Sequence, residues 1–334
     1  MKRRTVLHVG LGLGAAAAAR LVAARTLSPV RHDLQWVSRT LSAMGTSMTL
    51  QVAHADATRA LRALDAAVAE IRHIEDQMSL FRADSAICQL NRTGRLDHPH
   101  PDLLEIMRVA QRVSERSQGA FDVTVQPLWL AYDEAKNQGR LPSAEAVLAA
   151  RRQVDWRGLQ VTDAVLRLER PGMGITLNGI AQGYAADKVK ARLQSLGIAH
   201  ALIDAGEWAS LGRPAHAGDW TLGVANPRDA QRLLTGIAMQ GRCVATSADD
   251  QCSFSADLVN HHIFDPHTGR SPVELSGVTV LAPTCVMADA LTKVFFMAGF
   301  DRALPLARRW GVDVLVVDKQ GRWQASPGVA LRQT

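Results

Sequence analysis

The sequence predicts an α+β fold, built mostly from antiparallel sheets with packed helices. Segments with strand-like alternation and segments with helical spacing do not follow one another one for one, as they would in a doubly wound sheet. The 334 residues are 47% hydrophobic, which is enough to bury a large core. After the N-terminus we find no internal repeat or low-complexity linker. We therefore expect one compact unit over residues 35–330, with a two-lobed unit as the alternative.

Each element follows from its own pattern. Residues 35–53 alternate apolar and polar side chains, which predicts a half-buried hairpin with its turn at Met44-Gly45-Thr46. From 55 to 78, apolar residues recur at the spacing of an amphipathic helix. The same reasoning predicts helices at 102–117, 143–152, 179–196 and 288–297, and strands at 158–168, 174–177, 201–203, 220–224, 233–239, 276–281 and 312–317.

The excess positive charge is confined to the N-terminus. The formal net charge is +6, and the first 31 residues contain six basic residues and no acidic one. The rest is near neutral, which argues against a general nucleic-acid or anionic-membrane surface. Lys2-Arg3-Arg4 before a Gly/Ala-rich apolar stretch is typical of a twin-arginine-like export signal, so we expect residues 1–30 to direct the protein to the periplasm. An uncleaved inner-membrane anchor is the alternative, although Arg20 interrupts the stretch.

The four cysteines lack the C-x-x-C spacing of a zinc site. In an oxidising compartment, Cys243 and Cys252 could close a short disulfide loop. Buried free thiols are the favoured interpretation.

Two glycine-containing segments stand where a ligand could approach the backbone. Asp122 follows Gly119, which is expected to end a helix, and it precedes a β-like run. A solvated turn is an equally good interpretation. Leu177-Asn-Gly179 lies where a strand is expected to pass into a helix, and free N–H groups there suit a phosphate. A tight strand–helix turn would look the same.

Two further segments carry titratable groups. His261, His262 and His267 lie within seven residues, together with Asp265, and such a cluster could hold a general base. A metal site and a decorated surface turn are the alternatives. Asp289 begins a predicted helix, where a carboxylate either caps the helix or binds a hard cation such as Mg²⁺.

Seven short segments stand in a fixed order along the chain. They are Met44-Gly45-Thr46, Met78-Ser79-Leu-Phe81-Arg82 through Leu90-Asn91, Gly119-Ala-Phe-Asp122-Val, Leu177-Asn-Gly-Ile-Ala-Gln182 through Asp187, Val244-Ala-Thr-Ser247, His262-Ile-Phe-Asp-Pro through Gly269, and Ala288-Asp289. In this order they resemble the FAD:protein FMN transferase family, over about residues 42–299. The resemblance implies a single flavin-transferase domain that takes FMN from FAD and attaches it to a Ser or Thr of an acceptor protein.

The resemblance also implies roles for individual residues. His262 would lie close to the reacting phosphate and remove the proton of the attacking hydroxyl. Mg²⁺ would be bound by Asp289 and by the carbonyl of Gly179. The FAD pocket would be lined by Met44, Phe81, Ala120, Phe121, Asp122, Thr176, Gln182 and Ile263.

Three positions depart from the family pattern. Lys293 stands where many members have a metal-binding Thr, and a charged Lys has no lone pair to offer a cation. Either the adjacent Thr292 binds the metal instead, or the ammonium of Lys293 replaces a metal ion. Ala248 replaces a Gly, which would strain the backbone at a positive φ. A common Gly-Gly pair appears here as Asp204-Ala205-Gly206-Glu207.

The sequence therefore supports three functions. The first is an exported transferase that flavinylates a membrane-associated redox protein. The second is a non-catalytic FAD-binding accessory protein with a degraded metal site. The third is an FAD pyrophosphatase, in which water takes the place of the acceptor hydroxyl.

Overall fold

The structure is a computed structural model that describes residues 34–215 and 218–333. The strands are β1 (Gln35–Ala43), β2 (Thr46–His54), β3 (Arg95–Asp97), β4 (Leu159–Val161), β5 (Val165–Leu168), β6 (His200–Asp204), β7 (Trp208–Leu211), β8 (Thr221–Asn226), β9 (Asp229–Ala238), β10 (Cys243–Ala248), β11 (Leu275–Ala282), β12 (Asp313–Asp318), β13 (Trp323–Ala325) and β14 (Ala330–Arg332). The helices are α1 (Ala57–Met78), α2 (Ala86–Thr93), α3 (Pro101–Arg116), α4 (Gln126–Asn137), α5 (Ala144–Arg151), α6 (Ala181–Ser195), α7 (Cys285–Ala298) and α8 (Phe300–Trp310).

Eight strands form one sheet in the order β1-β2-β6-β7-β10-β11-β12-β13, and every neighbouring pair is antiparallel. Two three-stranded sheets, β14-β9-β8 and β3-β5-β4, complete the strand architecture of the described residues. Leu222 and Ile237 of the first small sheet pack in one buried cluster with Trp208 and Leu315 of the large sheet. This packing covers part of one sheet face.

Helices α1, α6 and α7 build the main core together with the large sheet. The spacing of apolar residues in α1 puts Leu64, Ile71 and Ile74 on one fully buried face. The N-cap residue Asp56 starts this helix by accepting hydrogen bonds from the N–H groups of Thr58 and Arg59. Helix α7 is buried almost all round, which fixes the orientation of the polar side chains that it carries.

The α+β prediction, with antiparallel sheets and packed helices, is confirmed. The predicted hairpin, the helices at 55–78, 102–117, 143–152 and 179–196, and most strands are present within a few residues. The predicted strand at 158–168 is a hairpin of two short strands, β4 and β5. Ala248 ends β10 at a negative φ, so the expected backbone strain does not arise.

Three local predictions are wrong. Residues 174–177 form only one parallel bridge, Val125 to Gly174, rather than a strand. The run after Asp122 forms a turn that leads into α4, because the Asp122 carboxylate accepts the N–H and the hydroxyl of Thr124 in place of a neighbouring strand. Helix α7 begins at Cys285 and not at 288, so Asp289 lies in its second turn and cannot cap it.

The four cysteines form no disulfide, in agreement with the favoured interpretation, but only Cys243 and Cys285 are buried. The thiols of Cys243 and Cys285 are buried side by side next to Asp187, which accepts the N–H groups of Cys285 and Val286 at the start of α7. The predicted leader lies outside the described residues. Among the helices of the described part, none combines the length and the apolar character needed to cross a bilayer.

Candidate active site

A cavity with about 980 Å³ of space, counted out to its open mouth, lies between the α3–α4 loop, the residues before α6, the end of β10 and α7. Aromatic and apolar side chains line it together with a few polar and charged groups, which is the usual composition of a ligand site. It collects segments that are far apart in sequence. The sequence-predicted residues that line it are Ala120, Phe121, Asp122, Thr176, Gly179, Gln182, His262, Ile263 and Asp289.

Asp122 shapes the first wall of the cavity. Its Oδ1 accepts hydrogen bonds from the N–H and the hydroxyl of Thr124, at 2.7 and 2.6 Å. Its Oδ2 accepts the N–H of Trp156 at 2.9 Å. Burial raises the pKa of this carboxyl, and the three hydrogen bonds oppose that rise because they favour the ionised form. Asp122 therefore holds the α3–α4 loop in place.

The second wall is the irregular segment before α6. Asn91 fixes it through two hydrogen bonds to the backbone of Ile175, one from its amide to the carbonyl at 2.8 Å and one from the Ile175 N–H at 2.7 Å. The N–H of Thr176 then donates to the carbonyl of Val123 at 2.8 Å. These bonds join the two walls and leave Asn178 and Gly179 at the cavity surface.

Gln182, in the first turn of α6, lies against the β6–β7 turn. Gly206 has a φ of +89°, and a Cβ there would fall 2.6 Å from the Gln182 Cδ. The glycine is thus required both by the backbone conformation and by the side chain of Gln182.

His262 enters the cavity from the long loop between β10 and β11. Its Nδ1 lies 3.2 Å from the carbonyl oxygen of Cys252, and its own N–H donates to the same oxygen at 3.0 Å. A carbonyl can only accept, so the contact at Nδ1 requires the proton there. The lone pair of the neutral ring is then on Nε2. This is the tautomer of a general base that acts through Nε2.

The other two imidazoles of the cluster have different surroundings. His261 is fully buried, its Nε2 lies 3.1 Å from the Pro272 carbonyl, and burial lowers its pKa to about 4. His267 is on the surface beside Asp265 and the Gln118 carbonyl. The chain brings only one of the three histidines to the cavity.

On the α7 side of the cavity, Asp289 and Lys293 form an ion pair. The two residues lie one helical turn apart. The Nζ of Lys293 lies 2.5 Å from Asp289 Oδ1 and 3.1 Å from the Asp289 carbonyl oxygen. The other carboxylate oxygen, Oδ2, accepts the N–H of Gly183 at 3.1 Å. Both oxygens of this nearly fully buried carboxylate therefore have partners.

Two acids flank the β6–β7 turn, and one of them, Glu207, interacts with this pair. Glu207 lines the cavity and accepts the N–H of Thr246 at 3.1 Å. Burial raises the pKa of Glu207 well above its ordinary value, and the negative charge of Asp289 raises it further. Burial also raises the pKa of Asp204, to about 7. Both shifts favour the protonated form of the carboxyl group.

The residues at Asp289 do not fit a divalent cation. A cation bound to Oδ1 would share that oxygen with the ammonium of Lys293, which repels it. In the described part of the chain, the groups of three or more His, Cys, Asp or Glu side chains that are close enough to share an ion do not include Asp289. The donor set that Mg²⁺ prefers is therefore incomplete here.

Three sequence-predicted residues do not line the cavity. Met44 is buried in the β1–β2 turn, where its N–H donates to Glu75 at 2.7 Å. Phe81 is 56% exposed, and its ring lies against Gly45. Thr292 is fully buried, with its hydroxyl 2.8 Å from the Ser247 hydroxyl and donating to the Asp289 carbonyl at 2.7 Å.

Sequence reasoning did not assign several residues of the cavity to the site. Glu207 and Lys293 appeared only as departures from a pattern. The signal for Glu207 was two acids around a glycine in a tight turn between buried strands. Phe264 also lines the cavity and lies in the segment that begins at His262, but it was given no role there. Trp129 and Gln251 line the cavity without a local motif that would have pointed to them.

The sequence and the fold of this chain are similar to those of known proteins. The sequence profile of the ApbE family matches residues 44–316. The chain belongs to the ApbE family. This membership confirms the resemblance drawn from the seven segments.

Individual members of the family are similar over most of their length. The FAD:protein FMN transferase of Salmonella typhimurium strain LT2 is 28% identical over 293 residues, which cover 83% of each chain. That of Vibrio cholerae is 30% identical over 75% of this chain and 77% of its own. The ApbE protein of Thermotoga maritima superimposes with a TM-score of 0.80 at 26% identity, over 88% of this chain and 97% of its own. The flavin transferase ApbE of Vibrio cholerae gives a TM-score of 0.76 at 25% identity, over 88% and 98%.

Proposed function

We propose that this chain transfers FMN from FAD to a Ser or Thr hydroxyl of an acceptor protein and releases AMP. The observation that carries the proposal is the convergence of His262, Gln182 and the Asp289–Lys293 pair on one cavity. The relatives named FAD:protein FMN transferase support the same reaction.

The groups at the site account for the bonds, the electron pair and the proton of this reaction. The acceptor oxygen forms a bond to the phosphorus of the FMN half, and the bond from that phosphorus to the AMP oxygen breaks. The electron pair of the broken bond leaves with AMP. The hydroxyl proton goes to His262, whose Nε2 has the lone pair in the tautomer fixed by the Cys252 carbonyl.

The cavity wall explains why the dinucleotide, and not only the flavin, would be held. Trp129, Phe121 and Phe264 supply apolar and aromatic surface, and Asn178 and Gln182 supply amide groups. A ligand with a flat ring at one end and a polar diphosphate in the middle matches this division. The Mg²⁺ that the family resemblance implies has no part in this proposal, because the ligand set at Asp289 does not fit it.

We place the reaction in the periplasm, in keeping with the leader predicted over residues 1–30. The acceptor would then be a redox protein at the outer side of the inner membrane. A mature protein beginning near residue 35 contains every residue of the proposed site.

The experiment is to incubate the purified mature chain with FAD and an acceptor domain that carries a Ser/Thr flavinylation site. In-gel flavin fluorescence on the acceptor and chromatography of AMP are measured together. Labelled acceptor with AMP supports the transferase. AMP without label supports a pyrophosphatase, and bound FAD with neither product supports a binding protein.

A further inference from the structure

Lys293 is a partly buried cation in the wall of the cavity. Its side chain is 18% exposed, and it crosses Gly179, where a Cβ would fall 2.9 Å from the Lys293 Cε. Any larger residue at 179 would therefore displace the side chain of Lys293. The glycine makes room for the ammonium at this place.

The ammonium still has a hydrogen bond to offer. Two of its three N–H donors go to Asp289, one to Oδ1 and one to the carbonyl. Both of these bonds go to the same residue, and the third N–H donor has no acceptor among the described residues. Asp289 is also held from the other side, because its Oδ2 accepts the Gly183 N–H in the first turn of α6, where a helix favours negative charge.

Lys293 provides the positive charge at the surface of the cavity. Among the described residues that line the cavity, it is the only Lys or Arg. Glu207 lines the same cavity, and burial raises the pKa of its carboxyl above the ordinary value. A diphosphate entering the cavity would thus find a single fixed cation, at the place where the divalent ion fits poorly.

We propose that the ammonium of Lys293 binds the diphosphate of FAD directly and supplies the charge that a divalent cation would otherwise supply, so that FAD binding by this chain is independent of Mg²⁺. The inference rests on the proposed function for its ligand, FAD. A lysine acts on a phosphate as a point charge, which suits both the bound diphosphate and the charge that builds on the departing AMP.

The test compares FAD affinity, measured by quenching of flavin fluorescence, in EDTA and in excess MgCl₂. The chain is examined as wild type, as Lys293→Gln and as Lys319→Gln. Lys319 is a matched control, because it is also 18% exposed and pairs with a buried Asp249, yet it does not line the cavity. Asp249 keeps its second partner, Arg228, in this control.

Wild type is expected to bind FAD equally in both buffers, within about two-fold. Lys293→Gln is expected to bind about 10- to 100-fold more weakly in both, the effect of losing one hydrogen bond from a charged donor. Lys319→Gln should match wild type. A requirement of wild type for Mg²⁺, or unchanged affinity in Lys293→Gln, overturns the inference. Should Lys293→Gln fail to fold by circular dichroism, the wild-type comparison decides alone.

The transfer assay separates this inference from the proposed function. If FMN is attached to the acceptor only in the presence of Mg²⁺, by wild type and by Lys293→Gln alike, the result supports the transferase and contradicts the role of Lys293. Metal-independent binding that needs Lys293, without AMP or labelled acceptor, supports the role of Lys293 in binding and contradicts the transferase. No FAD binding in either buffer contradicts both.

Discussion

The N–H of Gly183 donates to the Oδ2 of Asp289 at 3.1 Å, and this bond joins the first turn of α6 to the second turn of α7. The two helices approach so closely here that a Cβ on Gly183 would lie 2.3 Å from the carbonyl oxygen of Cys285. The site carboxylate is therefore positioned by a backbone contact that only glycine permits.

Gly183→Ala is expected to separate the two helices and break this bond. Overpacking against backbone and the loss of a hydrogen bond to a charged group together predict a loss of about 2 to 5 kcal/mol in the free energy of unfolding. Urea unfolding followed by circular dichroism measures it. A loss below about 0.5 kcal/mol, the range of ordinary surface changes, would mean that the contact is easily relieved.

His262→Gln removes the proposed base and keeps a polar side chain of similar size. Flavin transfer is expected to fall by about 10²- to 10⁴-fold, the usual contribution of a general base, while FAD affinity stays within a few-fold. Initial rates of acceptor labelling measure the first quantity, and fluorescence titration the second. His267→Gln is the control, since this histidine lies on the surface beside Asp265. Equal rates in the two variants would remove His262 from the mechanism.

Thr292→Val tests whether this threonine has a structural role or binds a cation. Its hydroxyl is fully buried and bonded to Ser247 and to the Asp289 carbonyl, so we expect a loss of about 1 to 3 kcal/mol in unfolding free energy. The ratio of FAD affinities with and without Mg²⁺ should not change. A variant of full stability that loses a response to Mg²⁺ would identify Thr292 as a ligand after all.

Asp204→Asn should change stability in a pH-dependent way. Burial raises the pKa of Asp204 from 3.8 to about 7, so the native state holds a proton that the unfolded chain has released. The stabilisation from this proton is complete below the ordinary pKa and is lost as pH rises through 7. An asparagine stays neutral and can still accept the Gly206 N–H, which now bonds to the carboxylate.

The stability advantage of Asp204→Asn over wild type should therefore be larger at pH 8 than at pH 5, by roughly 2 to 3 kcal/mol. Urea unfolding at the two pH values gives the difference. An advantage that is the same at both would show that Asp204 ionises as freely in the native protein as in the unfolded chain.

Local patterns predicted the elements that are regular along the chain. Asp56 and Ser143 cap their helices as their residue types suggest, and the β1–β2 hairpin turns at Met44-Gly45. The prediction failed where tertiary contacts replace local periodicity. Residues 174–177 have an apolar strand-like pattern, but Asn91, more than 80 positions away, satisfies the Ile175 backbone instead of a sheet neighbour.

The residues of the site divide in the same way, into those that a local pattern predicts and those that only tertiary packing brings to the cavity. The motif residues from 120 to 122 and the pair His262–Ile263 reach the cavity, because each belongs to a short segment with its own turn chemistry. Trp129 reaches it only through the packing of α4, and no nearby sequence feature marks it. Glu207 is marked only by the acids around Gly206, a pattern that does not show which way the sheet turn packs. The start of α7 was misjudged by three residues, and this hid the fact that Asp289 and Lys293 lie one turn apart on the same buried face.

The central claim is that one cavity cleaves FAD and passes its FMN half to a hydroxyl of another protein. The most direct measurement counts AMP released and FMN bound to a supplied acceptor domain in the same reaction. We expect equal amounts of the two, both lost in His262→Gln. AMP formed at the same rate without any labelled acceptor, or no reaction by a folded chain that binds FAD, would contradict it.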